Sequence, residues 1–357
     1  MLPAVAIKVA AMGGVREEVV LVRESLILGI ETSCDETAAA IVRNGGEILS
    51  NIVNSQIDIH QQFGGVVPEV ASRKHIENIA GVVHRAFSEA QLAYSAIDAV
   101  AVTNRPGLVG ALLVGVSFAK AFAYALEKPL IAVNHLHGHI YANFLEHKDI
   151  EFPAICLVVS GGHSSLLLMS NQNKMEVLGE TRDDAAGEAF DKVARFLGLG
   201  YPGGPAIQEA ATKGKAGQLQ LPRVFLDRND FEFSFSGLKT AAMNQWNKLQ
   251  RRGQANVYDM AAEFQAALVE VLVEKSIKAA ARYQVRTIMM AGGVAANQEL
   301  RNLMLKKTNE AGLKLFYPSL NLCTDNAAMI AANAHYHYGN RSFAPLSLNA
   351  YPSLLSL

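Results

Sequence analysis

Three histidines lie within five positions of the segment VNHLHGHIYANF, residues 133–144: His135, His137 and His139. Imidazole nitrogens are common ligands of zinc and iron, so this spacing could serve a metal site. In a strand, all three side chains would share one face. In a helix, His135 and His139 lie one turn apart on the same side and His137 points away. The segment therefore permits a two-histidine metal site, with ordinary capping and packing as the alternative.

The residues on either side of the histidines predict a junction between a strand and a helix. The preceding PLIAVN is a short apolar run that is typical of a buried strand. After it, Ile140, Phe144 and Leu145 recur at helical spacing. Open α/β sheets bind ligands at such junctions, which strengthens the functional interpretation of the histidines.

A carboxylate could complete the metal set. Asp325 stands at the start of another predicted helix in YPSLNLCTDNAAMIAANAHYHYG, where it could also be only an N-cap. Two imidazoles and one carboxylate suit Fe(II) or Zn(II) and leave coordination positions open. The sequence alone does not bring Asp325 to the histidines. The protease motif HExxH is absent because Leu136, and not Glu, follows His135.

Two segments share a pattern of apolar strand, tight polar turn and second apolar strand. They are LILGIETSCDETAAAIV, residues 26–42, and AICLVVSGGHSSLLLM, residues 154–169. Turns of this kind offer backbone N–H groups and hydroxyls to an anion. Two copies predict a duplicated fold whose halves face each other across a cleft, with two unrelated hairpins as the alternative.

The remaining pattern is a series of helices and strands. RKHIENIAGVVHRAFSEAQL predicts an amphipathic helix with Ile76, Ile79, Val83 and Phe87 on its buried face. We interpret His75 and His84 in it as packing or solvent-facing residues. Three further expectations concern the second half of the chain: DDAAGEAFDKVARFLGL and MAAEFQAALVEVLVEKSIKAAARY are helical, GYPGGPAI forms a turn, and TIMMAGGVAANQELRNLMLKK is a strand followed by a helix.

Gly292 and Gly293, between that strand and its helix, are compatible with a bound phosphate or nucleotide. The signal is weak, because the segment has neither the GxGxxG pattern nor the Walker pattern with its lysine.

Composition limits the class of protein. The 357 residues are 50% hydrophobic and 18% charged, enough for one large or two medium globular domains. The net charge of −1 gives no general basic field, so contact with RNA would need a local patch. Cys34, Cys156 and Cys323 are an odd, widely spaced set, which favours a reducing compartment, and we expect the cytoplasm.

The first 25 residues have neither a clean signal-peptide core nor a membrane-spanning length, so we interpret them as an extension. LVGALLVGVSFAKAFAYAL, residues 108–126, is nearly long enough to cross a bilayer. Lys120 inside it would cost about 2.5–3.5 kcal/mol at the bilayer centre. We therefore expect a helix buried in the protein, and no membrane association.

Seven segments together resemble the TsaD family of tRNA threonylcarbamoyladenosine biosynthesis proteins, once described as glycoproteases. They are GIETSCDETAAAIV, NHLHGHIYA, LVVSGGHSSLL, DDAAGEAFDKVARFLGLGYPGGP, FSFSGLKT, AGGVAANQELR and CTDNAAMIA. The resemblance extends from about Leu26 to about Gly339, in the order that the family has.

The resemblance implies an α/β fold of two lobes, like that of actin, sugar kinases and Hsp70 (the ASKHA fold), with duplicated ribonuclease H-like domains and a nucleotide between them. We expect an extension at 1–25, lobe I at 26–150, lobe II at 151–340 and a tail at 341–357. The duplicated hairpins point to the same architecture.

The resemblance also implies roles for individual residues. The family's metal ligands match His135, His139 and Asp325, and His137 lies where the family has no ligand. The family's substrate-binding residues match Val158, Val159, Ser160, Gly161, Gly162, Asp191, Gly204 and Asn297. Its acidic pair near the reacting group matches Asp35 and Glu36, which we take as candidate catalytic residues.

The implied reaction is transfer of the threonylcarbamoyl group from threonylcarbamoyl-AMP to N6 of the adenosine next to the anticodon in tRNAs that read ANN codons. The implied cofactor is one divalent metal per subunit, Fe(II) or Zn(II), and the implied partners are tRNA, a TsaB-like paralogue and a TsaE-like ATPase, as in bacteria. Alternatives are an ATPase or phosphotransferase with the same fold, a metallopeptidase, and a non-catalytic scaffold.

Overall fold

A computed structural model describes residues 5–8, 19–22, 24–226 and 228–353. Strands β1 (Val5–Lys8) and β2 (Val19–Val22) pair antiparallel near the N-terminus. Within the expected extension, residues 1–4, 9–18 and 23 lie outside the described residues, as do the last four residues of the expected tail.

The first sheet has five strands in the order β5-β4-β3-β6-β7. Its strands are β3 (Leu26–Glu31), β4 (Glu36–Arg43), β5 (Glu47–Ser55), β6 (Ala99–Arg105) and β7 (Leu130–Asn134). Strands β3, β4 and β5 pair antiparallel, whereas β6 and β7 are parallel to β3. The helices that follow its strands are α1 (Ile57–Gln61), α2 (Pro68–Ala90), α3 (Val109–Ala125) and α4 (His135–Glu146).

The second sheet repeats this order as β10-β9-β8-β11-β12. Its strands are β8 (Ala154–Val159), β9 (Ser164–Asn171), β10 (Lys174–Glu180), β11 (Thr287–Ala291) and β12 (Lys314–Phe316). Again the first three pair antiparallel and the last two are parallel to the first. Its helices are α5 (Ala186–Phe196), α6 (Gly203–Ala211), α7 (Ser236–Arg251), α8 (Val257–Arg282), α9 (Gln298–Ala311), α10 (Leu320–Cys323) and α11 (Ala327–Gly339). The duplicated architecture predicted from the two hairpins is confirmed.

The central strands are buried on both faces, which explains why they read as continuous apolar runs. Every residue of β3, β8 and β11 is buried. One hydrophobic cluster lies on the outer side of each sheet, and a third contains residues of both sheets together with α4 and α11. Helices α4 and α11 therefore lie between the two sheets.

Helix α2 forms as expected but buries a slightly different face. Ile79, Val83 and Phe87 are buried, whereas Ile76 is 65% exposed, so its expected burial is wrong. His75 takes the buried position instead, because its ring forms hydrogen bonds with the Thr37 hydroxyl and the Cys34 carbonyl. The structure thus supports the packing interpretation of His75.

The apolar segment at 108–126 forms α3, which packs against α2 and β6. Among the described residues, no helix is both apolar and long enough to span a bilayer. The prediction that GYPGGPAI forms only a turn is wrong, because helix α6 begins within this segment at Gly203.

After the second sheet, the chain returns to the first. Helix α11 packs against β3 and β4, and the backbone N–H of Ala344 donates to the carbonyl of Leu130. The approach to β3 is close: a Cβ on Gly29 would lie 2.3 Å from the Ala327 carbonyl oxygen. The expected lobe boundaries stay a prediction, but these contacts join α11 physically to the first sheet.

Candidate active site

The predicted junction between strand and helix is confirmed at Asn134, where β7 ends and α4 begins. The Asn134 side-chain oxygen accepts hydrogen bonds from the backbone N–H groups of Leu136 and His137, 2.9 and 3.5 Å away. This N-cap fixes the first turn of α4. His135 and His139 consequently project from one side of the helix.

Asp325 lies beside both histidines. Its Oδ1 atom is 3.4 Å from Nε2 of His135 and 3.1 Å from Nε2 of His139. Asp325 is not the N-cap of α11, because Asn326 takes that role and accepts from the backbone N–H of Met329. The carboxylate is therefore free of capping and faces the two rings.

These three residues form a cluster that fits a divalent metal. One potential ligand atom from each residue lies within 4.8 Å of the others. Both ring nitrogens of His139 are buried and make no hydrogen bond of acceptable geometry. Burying such nitrogens without a partner is costly, and a metal would satisfy one of them.

Glu31, which the sequence analysis did not single out, holds His135 from behind. Its Oε2 atom lies 3.0 Å from Nδ1 of His135 and accepts from the Thr103 hydroxyl at 2.6 Å. Burial alone would raise the pKa of Glu31, but the adjacent His135 ring lowers it below its usual value. A carboxylate bonded to Nδ1 leaves Nε2 as the ligand atom, directed at Asp325.

The cluster also controls the charge of Asp325. Burial would raise the pKa of Asp325, but His135 and His139 outweigh it and hold that pKa well below its usual range. Asp325 is therefore ionised, as a carboxylate ligand of a metal must be. Burial would lower the pKa of His135, but the charges of Asp325 and Glu31 raise it well above its usual value, so metal binding would displace a proton from this ring.

His163 is a second residue that the sequence analysis missed, although it stands in the SGGHSS turn. Burial, together with the fields of His135 and His139, lowers its pKa to about 4. Its backbone carbonyl accepts from the Ser160 N–H at 2.8 Å, which closes the turn. His163 is thus a neutral imidazole in the electrostatic field of the histidine pair.

The acidic pair of the first hairpin lies within the electrostatic range of Asp325. Asp35 is buried, and Glu36 accepts from the Ser55 hydroxyl at 3.1 Å. Burial, followed by the charges of Asp325 and Asp35, raises the pKa of Glu36 well above its usual value. A carboxyl that titrates closer to neutrality is suited to exchange a proton.

The predicted substrate loop lies at the turn between β8 and β9. Gly161 and Gly162 are exposed, and nothing stands within 4 Å of a Cβ added to either. The side chains of Val158 and Val159 are buried in the core, so only their backbone groups can face a ligand. Ser160 is nearly buried, and its hydroxyl accepts from the His163 N–H.

The other predicted contacts have structural partners. Asp191 is not a surface charge: its Oδ1 accepts from the Gly203 N–H at 2.7 Å, and burial raises its pKa. Gly204, next in α6, has open space around it. Asn297 caps α9 through the Leu300 N–H and donates from Nδ2 to the side chain of Gln265.

His137 lies on the opposite side of α4 from the cluster. Burial, with His337 and Arg105 nearby, lowers its pKa to about 4. Its separation from His135 and His139 agrees with the helical spacing in the sequence.

Two sheets of one topology, with chemistry-bearing residues between them, define a two-lobed α/β protein of the actin, sugar kinase and Hsp70 type. Solved structures agree. The HypF protein of T. kodakarensis superposes with a TM-score of 0.59 at 16% identity, covering 91% of this chain and 49% of that one. The activator of the 2-hydroxyisocaproyl-CoA dehydratase from Clostridium difficile gives 0.51 at 14% identity, covering 90% and 99%. At these identities the likeness establishes the fold.

Sequence relatives identify the family. Residues 47–332 match the sequence model of TsaD, tRNA N6-adenosine threonylcarbamoyltransferase. A Syntrophomonas wolfei protein of that name is 96% identical over 338 residues, which are 95% of this chain and 100% of the relative. One from Moorella thermoacetica is 56% identical over 335 residues, covering 94% and 98%. The chain belongs to the TsaD family of bacterial transferases.

Proposed function

We propose that the chain transfers the threonylcarbamoyl group from threonylcarbamoyl-AMP to N6 of the adenosine adjacent to the anticodon in tRNAs that read ANN codons. Membership of the TsaD family supports this reaction. The observation that supports assigning the reaction to this site is the cluster of His135, His139 and Asp325, whose charges act on Glu36 and on His163 of the glycine turn.

In the proposed mechanism, His135, His139 and Asp325 would hold one divalent metal, Fe(II) or Zn(II), since both accept two imidazoles and a carboxylate. When bound, the metal supplies Lewis-acid polarisation of a carbonyl group. The chain itself contributes the rigid placement of the ligand atoms, through the Asn134 cap and the Glu31 contact with His135.

The acceptor amine needs a proton acceptor, because its lone pair is delocalised into the adenine ring and its nucleophilicity is low. N6 attacks the carbamoyl carbon of the mixed anhydride, a new C–N bond forms, and the C–O bond to AMP breaks. The proton lost by N6 passes to Glu36 or Asp35. The raised pKa of Glu36 favours Glu36 for this role.

The departing AMP leaves as an anion and needs hydrogen-bond donors. The open backbone of Gly161 and Gly162 is suited to its phosphate, because no side chain blocks an approach. Asp191 lies on α5 and accepts from the Gly203 N–H where α6 begins, next to Gly204. There its carboxylate can accept from ribose hydroxyls. Val158, Val159, Ser160 and Asn297 complete the proposed substrate set through backbone groups or through the turn that they shape.

The target adenosine lies in a single-stranded loop, so exposing it costs less than flipping a base out of a duplex. The near-neutral charge of the chain suggests that partners help to hold tRNA. We infer a TsaB-like paralogue and a TsaE-like ATPase as those partners, and the cytoplasm as the place of action.

The decisive experiment supplies labelled threonine, bicarbonate, ATP, the adenylate-forming enzyme, the partner proteins and unmodified tRNA. We expect label in tRNA with the wild type, and loss of nearly all transfer with His139→Ala. His84→Ala, which removes an exposed histidine of α2, is the matched control and should transfer label like the wild type. Undiminished transfer by His139→Ala would contradict the metal mechanism. Phosphate release without labelled tRNA would favour the ATPase alternative.

A further inference from the structure

Arg301, in the first turn of α9, is outside the proposed substrate set, yet its side chain contacts the segment that leads to Asp325. Its Nε atom donates to the carbonyl of Ala295 at 2.7 Å, and its Nη2 atom donates to the carbonyl of Pro318 at 2.8 Å. Nη2 also donates to Sγ of Cys323 at 3.1 Å. One guanidinium group therefore holds three acceptors from two separate segments.

The Ala295 carbonyl connects Arg301 to the second sheet. Ala295 is fully buried in the 3₁₀ turn Gly293–Ala296, which follows strand β11. The Ala295 N–H donates to the Gly292 carbonyl at 2.9 Å. The turn packs closely on β8, because a Cβ on Gly292 would lie 2.3 Å from the Val159 carbonyl oxygen. A hydrogen bond to this turn therefore ties the Arg301 side chain to the core of the second sheet.

The other two acceptors belong to residues 317–323, the segment that leads to Asp325. This segment runs from the end of β12 through α10, and Asp325 follows it after one further residue. Pro318 and Cys323 are buried, and the Cys323 thiol donates to the Pro318 carbonyl at 3.5 Å. Arg301 thus contacts the segment near both of its ends. The position of Asp325 therefore depends on this guanidinium group.

The same segment also contacts the end of α4. Glu146, the last residue of α4, accepts from the Ser319 N–H at 2.7 Å. The ring of His147 donates from Nε2 to the Tyr317 carbonyl at 3.0 Å. Helix α4 thus carries the two candidate histidine ligands at its start and holds, at its end, the segment that delivers the carboxylate. Arg301 fixes that segment from α9.

The geometry of these contacts requires an arginine and not only a positive charge. Two different nitrogens of a planar group contact the acceptors, whereas a lysine offers one nitrogen on a flexible stem. The guanidinium group also lies over the Tyr317 ring, 4.5 Å from its centroid. All three acceptors are uncharged, so a lysine would keep the charge and lose part of the hydrogen bonding.

We propose that Arg301 is a positioning residue for Asp325, the candidate metal ligand. It acts through residues 317–323, whose distance from the second sheet the guanidinium group fixes, and it is not itself a ligand. This inference rests on the proposed metal site, because ligand geometry has a function only where a metal binds. Loss of the Arg301 contacts should alter the coordination of the metal more than it alters the stability of the fold.

The test compares Arg301→Lys with Arg282→Lys in the purified full chain loaded with Co(II). Arg282, at the end of α8, is the matched control, because it donates to the Asn229 carbonyl and lies over the Phe231 ring. The visible absorption of Co(II) reports the number and arrangement of its ligands. We expect Arg301→Lys to change this spectrum and to weaken Co(II) binding about tenfold. Arg282→Lys should match the wild type in both.

A second variant keeps the test valid if Arg301→Lys folds poorly. Cys323→Ala removes the sulfur acceptor closest in sequence to Asp325 and leaves the other two acceptors of Arg301 in place. We expect it to change the Co(II) spectrum as well. Cys156→Ala, which truncates an equally buried thiol in β8, should keep the spectrum of the wild type.

Three results would overturn the proposal. An unchanged Co(II) spectrum and affinity in Arg301→Lys and Cys323→Ala would show that Arg301 only stabilises the fold. An equal loss of Co(II) affinity in Arg282→Lys would show that any lost arginine contact near the second sheet disturbs the cluster. A wild type that binds no Co(II) would overturn the metal site and this proposal with it. Normal Co(II) binding without labelled tRNA would instead contradict only the proposed function.

Discussion

Glu31 illustrates how the site depends on a residue that contacts no substrate. It is fully buried in β3, at the carboxyl end of the strand, and its two oxygens contact Ser33, Thr103 and His135. Nothing in the local sequence pattern of residues 26–42 distinguishes Glu31 as functional. In the first sheet, β3 pairs with β6 and β6 pairs with β7, and α4 begins directly after β7. This strand order brings Glu31 behind His135, the first histidine of α4.

We predict that Glu31→Gln weakens metal binding by about 10- to 100-fold, which is typical for loss of a partner behind a metal-bound histidine. The neutral amide keeps the shape but no longer favours a proton on Nδ1 of His135. A chelator competition titration measures the affinity, and circular dichroism checks the fold. Unchanged metal affinity in a folded Glu31→Gln protein would show that Glu31 has only a packing role.

The raised pKa of Glu36 leads to a prediction about how the transfer rate depends on pH. Burial and the charges of Asp325 and Asp35 raise its pKa, so its proton-accepting form increases as pH rises through that elevated value. The transfer rate of the wild type should therefore rise with pH and then level off. Glu36→Gln should be slower by about 10²- to 10⁴-fold and should lose this rise.

The matched control for Glu36→Gln is Glu47→Gln, at an exposed position where β5 begins. Its single-turnover rate and pH profile should follow those of the wild type. If Glu36→Gln keeps a rate within about twofold and the same profile, the proton acceptor is another group, with Asp35 as the remaining candidate.

At the scale of elements, the site depends on how closely α11 approaches the first sheet. Gly29 in β3 allows that approach, because a Cβ there would lie 2.3 Å from the Ala327 carbonyl oxygen and 2.9 Å from the Ala331 nitrogen. Helix α11 directly follows Asp325, so any outward shift of α11 would carry the carboxylate away from the histidines.

We predict that Gly29→Ala lowers both the melting temperature and the metal affinity. Gly81→Ala in α2 is the matched control, since nothing lies within 4 Å of its added Cβ. Alanine is the better helix former by about 0.8–1.0 kcal/mol, so Gly81→Ala should be neutral or stabilising. Calorimetry and metal titration measure the two effects. A normal metal affinity in Gly29→Ala would mean that the helix can shift without moving Asp325.

Local pattern was sufficient for most of the elements and insufficient for their contacts. The Asn134 junction and both hairpins followed from apolar runs and turn residues, because such signals are local. The burial of His75 in place of Ile76 was not predictable, since it depends on Thr37 and Cys34, which are distant in sequence. The proximity of Asp325 to the histidines is likewise a tertiary contact, and only the family resemblance indicated it.

At the scale of the whole molecule, the chain crosses between the two sheets at both sides of the metal cluster. Helix α4 connects β7 of the first sheet to β8 of the second. The chain then leaves the second sheet after β12 and returns with α11 to the first. The duplication could be predicted from the two similar hairpins in the sequence. The return of α11 to the first sheet could not be predicted, because the sequence of α11 carries no pattern that selects one sheet over the other.

A metal held by His135, His139 and Asp325 would therefore connect α4 to the segment that leads into α11, which are the two places where the chain crosses between the sheets. Such a metal would stabilise the whole fold. Ligand binding to the native state at 100 times its dissociation constant contributes about 2.7 kcal/mol to the free energy of unfolding. We predict that a strong chelator lowers the melting temperature of the metal-loaded wild type and of His84→Ala, and that added Zn(II) restores it. His139→Ala should be insensitive to both treatments. Equal sensitivity of His139→Ala would mean that the stabilising metal binds elsewhere, because the cluster cannot keep its affinity after losing one of its two imidazoles.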